Sequence, residues 1–214
     1  MRTPFPYKLY LVISKESCIH HNWLKVAEQA IQGGVDIIQL REKNIDQPTF
    51  IHRALELKKI TDQYDVPLII NDHLTVAMKV KAYGIHVGNS DLPPSVVKDI
   101  WKDCRHIGYS FEYIEQLQNN EIPYADAIGI SPVFKTDTKT DTVTEWGLEG
   151  IQRIRSLTSI PLIAIGNINI GNAAGVLKAG ADCIAVVSAI CAAQDPKESA
   201  FNLKQIINQH HETV

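Results

Sequence analysis

Short apolar, β-branched runs recur along the chain at 8–14, 36–42, 67–72, 84–88, 106–110, 125–130, 161–166 and 183–189. Several are almost free of polar residues, as in PLII, PLIAI and CIAVV. A strand with one solvated face alternates apolar and polar residues, whereas a strand covered on both faces does not. The runs therefore predict a parallel sheet clothed by helices. Amphipathic stretches fill the intervals, at 23–32, 48–64, 74–82, 94–101, 111–118, 148–157, 172–179 and 196–209. In 48–64, Phe50, Ile51, Leu55, Leu57 and Ile60 lie at roughly helical spacing. Gly33-Gly34 supplies a helix stop after the first stretch. GGVDII (33–38) and AGADCI (179–184) both read as a helix C-cap running into a strand, a weak internal repeat. Eight strands alternating with eight helices predict α/β architecture, a closed (β/α)8 TIM barrel, with residues 1–214 as a single domain. An open doubly wound sheet is the alternative, but it usually carries a G-x-G-x-x-G turn after its first strand, where this chain reads ISKES.

One connection breaks the rhythm. Residues 131–146, SPVFKTDTKTDTVTEW, form a long polar, Thr-rich loop after the sixth strand. Such loops are uncommon in compact domains unless used, and this one falls on the C-terminal face, where barrel enzymes keep their active sites. Composition adds few constraints. With 214 residues, 45% hydrophobic and 21% charged, the chain can bury a full core without metal or disulfide staples. A formal net charge of −3 argues against a broad nucleic-acid-binding face. The four cysteines, Cys18, Cys104, Cys183 and Cys191, form no C-x-x-C pair and read as free thiols of a reducing compartment. The N-terminal segment shows no signal-peptide pattern, and no run reaches the roughly 18 apolar residues of a membrane span. A cytoplasmic location is expected, and the sequence is compatible with a homo-oligomer.

In a barrel the informative polar residues stand at strand C-termini. These are Gln39, Leu40, Arg41, Glu42 and Lys43; Asn71, Asp72 and His73; His86 to Asp91; Ser110; Thr136, Asp137, Thr138 and Lys139; Gly166 and Asn167; and Val187 with Ser188 on the eighth strand. Arg41 and Lys43 offer a planar fork and a mobile point charge for phosphate or carboxylate; the alternative is a rim salt bridge to Glu42. Asp72 and Asp91 end neighbouring strands, so their carboxylates repel unless a cation lies between them. Few hard oxygens suit Mg2+, which completes its shell with water and substrate phosphates; the alternative is helix N-capping. His86 reads as a core or rim histidine, and His73 either orients Asp72 or starts a helix. No Cys/His cluster supports zinc. Thr136, Thr138 and Lys139 put hydroxyls and a charge on a loop able to close over a phosphorylated ligand. Gly166-Asn167 and Val187-Ser188 occupy the usual barrel phosphate site. Two anionic groups are thus expected, and the charges favour departure of a leaving group such as diphosphate.

The motifs QLREK (39–43), IIND (69–72), GIHVG-x-x-D (84–91), T-x-T-K (136–139), GLEGI (147–151) and AVVSAI (185–190) resemble those of the thiamine-phosphate synthase family. The match in order and spacing runs from about residue 8 to 207. The resemblance implies a Mg2+-dependent transferase of thiamine biosynthesis. Such an enzyme joins hydroxymethylpyrimidine diphosphate to a thiazole phosphate, in many members its carboxylate, giving thiamine phosphate and diphosphate. It implies that Gln39 to Lys43, Asn71, Ser110 and Lys139 hold the pyrimidine diphosphate and that Asp72 and Asp91 bind Mg2+. Thr136, Asp137 and Thr138 would contact the thiazole substrate, and Asn167, Val187 and Ser188 its phosphate, with Gly166 in the same turn. Catalysis would be dissociative: diphosphate leaves while Arg41, Lys43 and Lys139 neutralise its charge, and the thiazole nitrogen attacks the pyrimidine methylene cation.

The chain departs from the family pattern at His73, Asn89, Ser131, Lys135 and Asn167. Asn tolerates a left-handed backbone, so the turn at 166–167 is expected to survive. The nearest rival is the related thiazole tautomerase, an isomerase that needs no metal. Its usual acid/base histidine lies two residues after the Ser110 position, where this chain has Glu112. A non-catalytic ligand-binding relative is the third reading.

Overall fold

A computed structural model describes residues 5–136 and 144–212. Eight parallel strands close in sequence order: β1 (Leu9–Ile13), β2 (Ile37–Leu40), β3 (Leu68–Asn71), β4 (Gly84–Val87), β5 (His106–Phe111), β6 (Ala127–Ile130), β7 (Leu162–Ile165) and β8 (Cys183–Val186), with β8 paired back to β1. Around them run α1 (Trp23–Gln32), α2 (Gln47–Gln63), α3 (Leu74–Lys79), α4 (Pro94–Ile100), α5 (Gly147–Leu157), α6 (Ala173–Lys178), α7 (Ser188–Cys191) and α8 (Pro196–Glu212). No helix among the described residues is long and apolar enough to cross a membrane. All four cysteines are free; Cys18 is half-buried and the others are buried.

Local signals account for the helix ends. Asn22 accepts the Leu24 N–H and starts α1, and Asp46 accepts both the N–H and the hydroxyl of Thr49 at the start of α2. At the end of α1, a Cβ on Gly33 would fall 2.3 Å from the Lys197 carbonyl oxygen, so glycine lets α1 and α8 meet. The following Gly34 turns the chain into β2 with φ 106°.

Two expectations require correction. Residues 111–118 do not form an α-helix: Phe111 completes β5, and the crossover to β6 is made by short 3-10 segments at Ile114–Gln118 and Ile122–Tyr124. The eighth strand stops at Val186 instead of reaching 189. Val187 and Ser188 instead cap and begin the one-turn helix α7, whose tight turn satisfies backbone groups that the closed sheet no longer pairs.

The core has two shells. Strand residues facing outward pack with the helices, as Leu11, Ile38, Leu40, Ile70, Ile85 and Ile128 do. Residues facing inward fill the barrel, including Tyr10, Val12, Ile37, Ile69, Ala127, Ile163, Cys183 and Ala185. The period-two alternation of a strand decides which shell a residue joins.

The N-terminal rim is sutured by a repeated device. Asp36, Asp126 and Asp182 each immediately precede a strand. Each donates its N–H to the carbonyl of a residue on the preceding strand (Leu9, Ile107 and Leu162, at 2.9, 2.8 and 3.0 Å) and accepts that same residue's N–H on its carboxylate. Lys204 of α8 pairs with Asp36, and Arg155 of α5 with Asp182, tying the outer helices to the rim.

Candidate active site

The C-terminal mouth opens into a cavity of about 390 Å³, lined by residues from all eight strands or the loops that follow them. Alternation explains its lining. Along 39–43, Gln39, Arg41 and Lys43 face the cavity, and Leu40 and Glu42 do not. Leu40 lies in the outer shell. The buried Glu42 carboxylate accepts the Lys15 N–H at 3.0 Å and pairs with Arg53 of α2 at 2.5 Å. Burial pushes its pKa up despite these donors. The alternative rim pair of Arg41 or Lys43 with Glu42 is thus not formed, Glu42 pairing with Arg53 instead, and the side-chain substrate contacts expected of Leu40 and Glu42 are not available from where they lie.

Lys43 instead pairs with Asp72 at 2.8 Å. Asp72 stands just past β3 with φ 63°, a left-handed conformation that Asp adopts more readily than most residues. Its N–H is held by the His86 carbonyl at 2.8 Å. Asp91 accepts the Gly88 N–H at 2.7 Å. Burial raises the Asp91 pKa, and the adjacent Asp72 carboxylate raises it further. The two carboxylates are therefore neighbours, one held by Lys43 and the other by the Gly88 N–H. Among the described residues, no group of three or more His, Cys, Asp or Glu side chains is arranged to hold a metal. Two hard-oxygen donors suit Mg2+, whose remaining ligands are commonly water and phosphate. His73 caps α3 with its ring edge-on to Phe50, which favours the helix-start reading.

His86, Asn89 and Glu112 also line this wall. His86 Nε2 lies 3.0 Å from the Ser110 hydroxyl. The ring fits because the neighbouring inward positions are glycines. A Cβ on Gly108 would fall 2.5 Å from His86 Nδ1, and one on Gly129 would fall 3.1 Å from its Cε1. Asn89 donates to Glu112 at 2.7 Å and accepts from the buried Gln116 at 2.7 Å. Gln116 also donates to the Ser110 carbonyl, so one buried amide ties together the wall around Ser110. The sequence reads His86 only as a core or rim histidine and does not mark Gln116; the glycines at 108 and 129 are the signal for the first.

The opposite wall carries Gly166, Asn167, Val187 and Ser188. Gly166 has φ 119°, and a Cβ there would fall 2.7 Å from Pro132, so no other residue fits without displacement. Asn167 adopts φ 50°, and its carbonyl accepts the Asn172 amide at 2.9 Å. Thr136 lines the cavity. Asp137, Thr138 and Lys139 lie outside the described residues. Both ends of the 131–146 connection are anchored: Val133 N–H to Ile165, Trp146 N–H to Pro132 and Gly147 N–H to Val133. Trp146 also stacks on Phe111.

A closed parallel barrel with paired carboxylates and cations on one side of its mouth, and a glycine turn on the other, defines a class of phosphate-handling barrel proteins. Within that class, residues 9–190 match the family described as thiamine monophosphate synthase. The chain is 44% identical over 202 residues to a thiamine-phosphate synthase of Albidiferax ferrireducens, covering 94% of this chain and 92% of that protein. It is 41% identical over 200 residues to one of Leptospira biflexa, covering 92% and 95%. Among solved structures, a thiamine phosphate pyrophosphorylase of Pyrococcus furiosus superposes with a TM-score of 0.85 at 33% identity, covering 95% of this chain and 96% of that one. The chain belongs to the thiamine monophosphate synthase family.

Proposed function

We propose that this protein is a thiamine-phosphate synthase, a transferase that joins hydroxymethylpyrimidine diphosphate to a thiazole phosphate with release of diphosphate. Family membership supports the activity. The observation that carries the site assignment is one cavity with two unlike walls. The Asp72–Asp91 pair stands with Lys43 and Arg41 on one, and Gly166-Asn167 with Val187-Ser188 on the other.

Asp72 and Asp91 are the residues that would hold Mg2+, which would supply charge neutralisation for the departing diphosphate. Arg41 holds diphosphate oxygens through its fork, and Lys43 turns from Asp72 toward them. Lys139, on the loop, adds a third cation. Gln39, held at 2.9 Å to the Tyr10 hydroxyl, and Asn71 hold the pyrimidine from the barrel floor. Ser110 contacts the same substrate with its hydroxyl oriented by His86. Thr136, which lines the cavity, positions the thiazole, and the family resemblance assigns Asp137 and Thr138 to the same substrate. The backbone of Gly166-Asn167 and Val187-Ser188 holds its phosphate. Diphosphate departs first, the pyrimidine methylene becomes a short-lived cation, and the thiazole nitrogen closes the new bond. No protein nucleophile is needed, so positioning and leaving-group stabilisation supply the acceleration.

The deciding experiment measures diphosphate release from the pure protein mixed with both substrates, first with Mg2+ and then with a chelator. Release that needs both Mg2+ and the thiazole partner is the expected result. Absence of release under all conditions would overturn the assignment, and chelator-resistant release would overturn the metal alone.

A further inference from the structure

Gln116 is 1% exposed, and the two ends of its side-chain amide do different things. Its Oε1 accepts the N–H groups of Glu112 and Tyr113 at 2.6 and 3.2 Å, which caps the 3-10 turn at Ile114–Gln118. Its Nε2 points away from that turn and donates to the Ser110 carbonyl at 3.0 Å and to Asn89 Oδ1 at 2.7 Å. Both donors of the NH2 group are therefore used. Asn89 donates in turn to Glu112 at 2.7 Å, which closes a ring of hydrogen bonds through Asn89, Glu112 and Gln116. The ring joins two segments of the site. One is the β4–α4 loop, where Asp91 accepts the Gly88 N–H at 2.7 Å and returns its own N–H to the Gly88 carbonyl at 3.3 Å. Asn89 lies inside that small loop, so holding Asn89 holds the loop that aims Asp91. The other is the end of β5, where the Ser110 hydroxyl meets His86. Pairing between β4 and β5 ends at Val87 and Tyr109, and the ring carries the connection on past that point. Asn89, Ser110 and Glu112 line the cavity, and the buried Gln116 stands behind them.

We propose that Gln116 is a positioning residue for the diphosphate half of the site. Through Asn89 and the Ser110 carbonyl it fixes Asp91 and Ser110 relative to each other, and so sets the affinity for diphosphate with its Mg2+ without touching either. The proposal deepens the synthase reading and rests on it for the identity of the ligand. A buried, fully satisfied polar network is stiff, because every displacement leaves a donor or acceptor unpaired away from water. Small displacements matter at such a site, where binding and rate depend on placement to within about an ångström. The opposite wall, at Gly166 and Ser188, follows β7 and β8 and lies outside the ring, so it should not respond.

The test separates the two ends of the amide. Gln116→Glu keeps the size and the acceptor that caps the turn, but a carboxylate cannot donate to Asn89 or Ser110. Asn89→Ala leaves the cap in place and removes only the link to the Asp91 loop. Calorimetric titration of the full chain with inorganic diphosphate in the presence of Mg2+ reads the wall without turnover. Each variant is expected to bind about tenfold more weakly, the scale of one lost hydrogen bond, and the double variant no more weakly than the singles. In steady-state assays KM for the pyrimidine diphosphate should rise by about the same factor, while KM for thiazole phosphate stays within about twofold. Equal changes in both KM values, additive losses in the double variant, or a lower Tm with unchanged diphosphate affinity would reduce Gln116 to a turn cap and overturn the proposal. Should Gln116→Glu fail to fold, Asn89→Ala decides by the same titration. A parent protein that binds Mg2+ and diphosphate without turning over sinks the synthase reading, and the titrations alone then decide the role of Gln116. A parent that binds no diphosphate overturns both.

Discussion

The two rims of the barrel use aspartates in opposite ways. At the N-terminal rim, Asp36, Asp126 and Asp182 each accept a strand N–H, and two of them also take a cation from an outer helix. At the C-terminal rim, Asp72 sits in a left-handed conformation beside Asp91, whose pKa its carboxylate raises. The first set lowers the free energy of the fold by satisfying buried donors. The second keeps two carboxylates side by side, one of them already paired with Lys43. The same residue type thus serves stability on one rim and, on the proposed reading, chemistry on the other, as barrels generally divide these tasks.

The largest effect should come from the chemical rim. Asp72→Ala and Asp91→Ala are each expected to lower turnover on the order of 10²–10³-fold, the scale of a lost charge stabiliser, without lowering the melting temperature. Near-normal turnover in both variants would erase the distinction between rims. Lys139→Ala should slow single-turnover product formation by on the order of 10²-fold while changing thiazole KM less, since its charge matters most as diphosphate departs. Unchanged single-turnover rates would remove Lys139 from the chemistry.

The structural rim should answer in stability. Asp36→Ala orphans the N–H groups of Lys8 and Leu9 and the Lys204 ammonium. A cost of about 1–3 kcal/mol is expected, lowering Tm by roughly 2–10 °C with kcat intact. A fall in kcat at unchanged Tm would contradict the division of labour. The smallest effect is a pH dependence at His106, the first residue of β5, which is packed on Phe5 with its Nε2 buried and unpartnered among the described residues. Burial lowers its pKa to about 3. The unfolded chain therefore takes up a proton near pH 6.5 that the folded one refuses, so stability falls as pH drops from 6.5 toward 3. His106→Phe should flatten that part of the curve in denaturant titrations, and an unchanged slope would dismiss the effect.

Much of this was legible from residues alone. The apolar runs marked eight strands whose order around the barrel is their order in sequence, and the strand-end rule pointed at the mouth. The run 39–43 points to the mouth as a block, but a period of two divides it, sending Arg41 and Lys43 inward and Glu42 outward to Arg53. The segment 111–118 misled because its apolar residues suit a helix, while its one buried polar side chain, Gln116, is committed to the backbone of Ser110, Glu112 and Tyr113. That commitment is a tertiary fact with no local signature.

Periodicity, caps and glycines act through neighbours along the chain, so the sequence by itself determined the strand order, the closed barrel and the family. Which carboxylate meets which cation depends on barrel closure and on the side of each strand that faces in. Only the tertiary structure decided that Lys43 neutralises Asp72, that Glu42 belongs to the outer shell, and that His86 reaches Ser110 over two glycines.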